Sequence, residues 1–205
     1  MLFNLAKICS KNSSIVEIGS FKGGSTVYLA NGSKKGNNCK VYAIDTFKGS
    51  PQHNKNNPHF STLFEFKKNI LEAKANDIVI PIINTSENAR KIFDNKKIGL
   101  LFIDGNHNYN FVKQDFMLWR NLIINGGIIV FHDTLSGGAR KVVKEFLYFN
   151  KFKEIKYLSS ITYAKKTEKL CLKDKLFNLF SFIKRNLYLR IRWFYYLIKG
   201  KKYTF

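Results

Sequence analysis

The chain has 205 residues, 45% of them hydrophobic and 15% aromatic, enough for one sizeable core and too few for two full domains. Its 35 Lys and Arg against 14 Asp and Glu leave a net charge of +21, which favours acidic partners. The three cysteines, Cys9, Cys39 and Cys171, are far apart and odd in number, which argues against a disulfide framework or a zinc site, and no run of about 18 uncharged apolar residues is present to span a membrane.

Residues 1–10 hold a lysine inside a short apolar run with no small-residue cleavage site, and read as a leading helix rather than a signal peptide. A first strand over 14–18 stops at Gly19-Ser20-Phe21-Lys22-Gly23-Gly24, and a helix resumes beyond it. This sets backbone N–H groups and a helix N-terminus at the end of a buried strand, where a nucleoside-type ligand docks. A second strand over 39–44 ends at Asp45, a carboxylate placed for ribose hydroxyls. The polar segment 47–59 reads as a loop of the length that often serves as a lid, with His53 and His59 solvated. A helix to residue 74, a strand over 78–83, a short helix over 87–93 and a strand over 98–103 ending in Asp104 follow. Residues 109–124 show helical periodicity in Phe111, Val112, Asp115, Phe116, Trp119 and Leu122, stopped by Asn125-Gly126-Gly127. A strand over 128–131 then ends in His132 and Asp133, before a helix over 138–149 and strands over 152–157 and 161–165. Such alternation predicts an α/β fold with a Rossmann-like, doubly wound, mostly parallel sheet.

Ligands of open α/β sheets sit at the carboxyl ends of the strands, so Asp45, Asp104, His132 and Asp133 fall on one rim with the glycine turn. Plainer roles stay open beside this one. Asp104-Gly105 also fits a helix-capping turn, His107 a hydrogen bond within its loop, and His132-Asp133 a strand terminator. Tyr109 fits packing over the loop, and Asp115 a salt bridge or cap to a neighbouring loop.

The turn Val16-Glu17-Ile18-Gly19-Ser20-Phe21-Lys22-Gly23-Gly24-Ser25-Thr26 and the end Ala43-Ile44-Asp45 belong to a longer pattern. It continues in Leu101-Phe102-Ile103-Asp104-Gly105-Asn106-His107-Asn108-Tyr109 and in Gly126-Gly127-Ile128-Ile129-Val130-Phe131-His132-Asp133. Together these resemble class I S-adenosylmethionine-dependent methyltransferases, and more narrowly the sugar O-methyltransferases related to the macrocin and rhamnosyl enzymes. The resemblance covers residues 14–163. It implies that Glu17, Gly19, Ser20 and Gly23 hold the amino-acid end of S-adenosylmethionine, that Asp45 takes the ribose and that Ser86, in Asn84-Thr85-Ser86-Glu87, lines the adenine. Asp104 is implied at both cofactor and reaction. Related enzymes hold magnesium through a strand-end carboxylate and an acidic pair, positions that fall on Asp104, His132 and Asp133. Here His132 replaces one acidic residue and Asn106 stands where an acidic base sits; an imidazole suits the hard Mg2+ less well than a carboxylate. His107, just past the strand end, is then the more natural base for a hydroxyl proton. The G-x-G-x-x-G spacing of a dehydrogenase is absent. The expected acceptor is a sugar hydroxyl of a glycan, glycolipid or nucleotide sugar; the alternatives are an RNA or other nucleic-acid methyltransferase and a non-catalytic membrane adaptor.

From Lys165 onward 12 Lys and Arg stand against 2 Asp and Glu, and before it 23 against 12. Residues 167–205 therefore read as a basic, aromatic-rich helical tail behind a domain over 1–166. At about 100° per residue Lys173, Lys184, Arg185, Arg192 and Lys199 share one arc, and Leu176, Phe180, Ile183, Leu187, Phe194 and Ile198 a neighbouring one. Such a helix fits an anionic bilayer surface, so the expectation is a cytoplasmic protein seated on the inner face of a membrane, with a tail dispensable for folding. Packing on the core or on a second subunit is the plainer reading, and nucleic acid comes third, since no recognition module accompanies the charge.

Overall fold

A computed structural model describes residues 1–49, 59–93, 96–148 and 150–199. Most of the expected 47–59 loop, with His53, and the tail beyond Lys199 lie outside these residues.

Seven strands form one sheet in the order β3-β2-β1-β4-β5-β7-β6. The elements are α1 (Leu2–Lys7), β1 (Ser14–Ile18), α2 (Gly24–Lys34), β2 (Val41–Asp45), α3 (Leu63–Glu72), β3 (Val79–Ile83) and α4 (Ser86–Ile92). They continue with β4 (Ile98–Ile103), α5 (Tyr109–Trp119), β5 (Ile123–Phe131), α6 (Gly137–Phe146), β6 (Phe152–Leu158), β7 (Ile161–Lys166) and α7 (Leu172–Ile198). β1 to β5 run parallel, and β7 pairs antiparallel with both β5 and β6.

The central strands read as unbroken apolar runs because both faces are covered. Side chains alternate across the sheet, so Val16, Ile18, Leu101, Ile103, Ile129 and Phe131 pack with Phe116 and Trp119 of α5. Ile15, Leu100, Phe102, Ile128 and Val130 pack on the other side with Leu29 of α2 and Phe66 of α3. Phe116 and Trp119 are fully buried; each stabilises the fold by roughly 1.5–3 kcal/mol, and Phe116→Ala costs about 3–5 kcal/mol.

Two expectations are corrected. The helix predicted over 109–124 ends at Trp119, a 3-10 turn covers Arg120–Leu122, and β5 begins at Ile123. Gly126 and Gly127 do not start a new element; they lie inside β5, where its register against β4 jumps from Ile98↔Ile123 to Leu100↔Ile128. Three extra residues bulge out there, and Gly126 supplies the φ of +80° that the bulge requires.

The second correction concerns the tail. α7 lies along β6, the edge strand, and caps its free carbonyls: Asn178 Nδ2 donates to Phe152 O at 2.8 Å and Ser181 Oγ to Ile155 O at 2.7 Å. Arg185, expected on an exposed basic arc, is only 5% exposed and faces the domain. The expected apolar arc is the face left in solvent, with Leu176, Phe180, Ile183, Leu187, Phe194 and Ile198 all exposed.

Candidate functional site

The rim is built by backbone hydrogen bonds that tie each strand's first loop residue to its neighbour. Gly19 N donates to Ile44 O, Asp104 N to Ile18 O, His132 N to Ile103 O and Asn84 N to Asp45 O. The ends of β3, β2, β1, β4 and β5 therefore line up, and the expected site residues come together.

At the end of β1, Glu17 is fully buried and accepts a hydrogen bond from Thr26 Oγ1 of α2. Burial pushes its carboxyl up to about 7, against the pull of the Ser25 and Thr26 hydroxyls. Its Oε1 and the neighbouring Ser20 Oγ are buried without a hydrogen-bond partner among the described residues. Gly19 sits at φ +89°, where a Cβ would meet the Asp104 carbonyl oxygen at 2.3 Å, so no other residue fits this turn. Gly23 N-caps α2 at φ +83° without a side-chain cap, leaving the helix N-terminus with its positive end open.

Asp45 does more than its sequence position announced. Its Oδ2 accepts from Phe21 N at 2.8 Å and its Oδ1 from Phe47 N at 2.7 Å. Phe21 and Phe47 are both at positive φ, 47° and 56°, so one carboxylate holds two strained turns. Each oxygen keeps a lone pair for a further donor. Ser86, in the first turn of α4, accepts from Trp119 Nε1 at 2.9 Å and lies beside the buried Asp115. Burial pushes the Asp115 carboxyl up to about 6, with the Ser86 hydroxyl pulling the other way. Asp115 thus serves the neighbouring loop, as the plainer reading held; α4 itself is capped by Thr85, whose hydroxyl accepts from Asn88 N.

Asp104 does not cap α5; Asn108 does, accepting from Asn110 N at 3.0 Å, while Asn106 closes the loop by accepting from Asn108 N at 2.8 Å. Asp104 instead pairs with His132, its Oδ1 lying 3.0 Å from His132 Nδ1. Asp133 Oδ1 lies 3.2 Å from the same nitrogen, and Asp133 Oδ2 lies 3.5 Å from His107 Nε2. The result is a chain Asp104–His132–Asp133–His107 with the exposed His107 at its solvent end. The Asp104 carboxylate holds the His132 imidazole above its usual value, so His132 is the more protonated ring near neutral pH and a poor base.

The expected metal set of Asp104, His132 and Asp133 comes together but does not fit Mg2+. The imidazole nitrogen sits between the two carboxylates, taking the place where a cation would bind them. Among the described residues no group of three His, Cys, Asp or Glu is arranged to hold a metal ion. Sequence reading missed Phe21 and Phe47, whose contribution is backbone N–H, and Ser160, whose Oγ lies 3.4 Å from His132 Nε2. Ser160 sits in the β6–β7 turn, and only the antiparallel return of β7 brings it to the rim.

Three comparisons bear on this geometry. An uncharacterized protein of Acanthamoeba polyphaga mimivirus is 31% identical over 134 residues, 65% of this chain. The chain spans 57% of that relative's length. Among solved structures, the O-methyltransferase NovP superposes with a TM-score of 0.68 at 16% identity, covering 82% of this chain and 79% of its own. The O-methyltransferase of Bacillus cereus, solved in complex with S-adenosylhomocysteine, gives 0.58 at 19%, covering 80% and 79%. Identities this low speak to the fold. A profile described as "Methyltransferase domain" matches residues 16–134, which takes in the glycine turn, Asp45, Asp104, His107, His132 and Asp133, and the chain belongs to that family.

Proposed function

We propose that the protein is an S-adenosylmethionine-dependent O-methyltransferase acting on a sugar hydroxyl of a glycan, glycolipid or nucleotide sugar. The observation that carries the cofactor is the pair of buried, unpartnered atoms Glu17 Oε1 and Ser20 Oγ beside the open N-terminus of α2. A buried carboxyl without a partner costs free energy that an ammonium relieves, and a helix N-terminus suits a carboxylate, so this end matches a zwitterionic amino-acid group. Asp45 and the Ser86 loop supply acceptors for the ribose and the adenine.

When bound, the cofactor supplies an electrophilic methyl group. The chain's part is to align the acceptor oxygen, worth up to about 7–11 kcal/mol in good geometry, and to take its proton. His107 Nε2 is placed for the second task, with Asp133 as its orienting carboxylate. The reported O-methylation by NovP and the Bacillus cereus enzyme supports oxygen as the methyl acceptor; the hydroxylic, weakly acidic acceptor is the reason a base is needed at all.

We further infer a cytoplasmic protein seated on an anionic membrane surface through α7. Support comes from the outward apolar face of α7 together with the exposed Lys173, Lys184 and Lys199. Among the described residues no helix is long and apolar enough to cross a membrane, which fits a surface seat. The test of the activity is calorimetry with S-adenosylhomocysteine, followed by methyl-transfer assays on nucleotide sugars and glycolipids. Cofactor binding with a new methyl ether on a sugar is the expected result; absence of cofactor binding overturns the reading, and methyl transfer to RNA instead replaces the acceptor.

A further inference from the structure

Beyond the rim, a cleft of about 310 Å3, part of it open to solvent, lies between α6, α7 and the end of β5. Arg140, Lys144 and Arg185 line it, together with Thr134, Thr162 and Tyr148. The three cations form no ion pair with a carboxylate among the described residues.

Arg185 is the telling one. It is 5% exposed, and its Nη1 is buried without a hydrogen-bond partner. The other terminal nitrogen, Nη2, donates to Ser159 O at 3.2 Å and to Thr134 O at 3.4 Å, and the guanidinium stacks over the Tyr157 ring at 4.5 Å. The guanidinium is thus clamped in place while half of its donor fork is unused. A buried charge facing two like charges and no anion is costly to keep, and a fork of planar N–H donors is matched by phosphate or carboxylate oxygens.

We propose that this cleft is an anion subsite that takes a phosphate group of the acceptor. Its location fits that use, because Thr134 follows Asp133 directly and so joins the cleft to the His132–Asp133 end of the rim. The assignment of the phosphate to the acceptor rests on the transferase reading above; the cation cluster does not. Both a nucleotide-linked and a lipid-linked sugar carry such a group, and the chemistry recognised is the same.

The test is thermal denaturation and calorimetry of the full chain, with inorganic phosphate against chloride at matched ionic strength, in the presence of S-adenosylhomocysteine to cover the α2 N-terminus. Phosphate at about ten times its Kd is expected to raise Tm by about 3 °C or more. Arg140→Ala combined with Lys144→Ala is expected to lower phosphate affinity at least tenfold while leaving the phosphate-free Tm unchanged or higher, since like charges are removed from Arg185. Arg185→Met is expected to abolish the phosphate effect, and if that variant fails to fold the double variant still decides. Uridine diphosphate binding more tightly than glycerol phosphate assigns a nucleotide-linked source, and the reverse a lipid-linked one; both support the subsite. A phosphate effect no larger than that of chloride, or one that survives in the double variant, overturns it. Because this readout needs no methyl transfer, it separates failure of the subsite from failure of the transferase reading.

Discussion

Asp45 at the end of β2 accepts the backbone N–H of Phe21, two residues past the end of β1's glycine, so one carboxylate sets the shape of a turn on the neighbouring strand. Asp45→Ala is therefore expected to act twice. It removes an acceptor for the ribose, weakening S-adenosylhomocysteine binding by about 1.5–3 kcal/mol, and it frees two strained turns, lowering stability by about 1–3 kcal/mol. Calorimetry and urea denaturation of the same variant separate the two effects; a variant with full cofactor affinity refutes the ribose role.

A second prediction concerns pH. Burial raises the carboxyls of Glu17 and Asp115, to about 7 and about 6, and the Asp104 carboxylate raises His132. A group whose folded pKa lies above its unfolded value contributes stability that is complete below the unfolded value and is lost as pH rises through the folded one. All three act with the same sign, so stability falls between about pH 5 and pH 8. Glu17 alone accounts for on the order of 3 kcal/mol of that loss, at about 1.4 kcal/mol per pH unit. Glu17→Gln is expected to flatten the curve measured by denaturation at a series of pH values, and to gain most relative to the parent at the alkaline end.

Turnover should depend on the His107–Asp133 pair rather than on a metal. His107→Ala and Asp133→Asn are each expected to reduce kcat by roughly 10²-fold, with S-adenosylhomocysteine affinity nearly unchanged. Because His132 sits between Asp104 and Asp133, EDTA is expected to leave the rate as it was. Loss of activity in EDTA that Mg2+ restores is the outcome against this assignment.

The strands and the rim were legible in the sequence for a physical reason: strands covered on both faces must be apolar throughout, and their ends must carry the polar residues. Glu17, Asp45, Asp104 and His132 were visible on those grounds. The start of β5 was hidden because Ile123 and Ile124 continue the three-and-four spacing of α5, while the glycines that looked like a stop are the bulge of a longer strand. The docking of α7 was hidden for another reason. A helical wheel finds two unlike faces but does not say which one meets the domain, and here Asn178, Ser181 and Arg185 do so because an edge strand offers carbonyl oxygens.

That docking predicts two separable effects. Removal of residues 167–205 is expected to lower Tm, because the carbonyls of Phe152 and Ile155 lose their donors and Tyr148 loses the ring of Phe182, packed edge-on at 5.0 Å. Ile183→Glu, Leu187→Glu and Ile191→Glu together alter only the outward face, where all three are exposed. They are expected to leave Tm within about 1 °C, as surface changes do, and to abolish sedimentation with vesicles containing phosphatidylglycerol. Vesicle binding that persists, or a dimer that dissociates instead, removes the membrane seat.

The contact between Gly19 and the carbonyl of Asp104 has a kinetic meaning. The loop that receives the cofactor and the loop that carries His107 touch backbone to backbone, with no side chain between them to absorb a shift. Whatever settles the first loop settles the second, so the protein is built for an ordered sequence of events in which the donor enters first and the acceptor meets a finished surface. Gly19→Ala pushes both loops apart at once, and its mark in steady-state kinetics is a joint rise in the KM of both substrates rather than a defect in either alone.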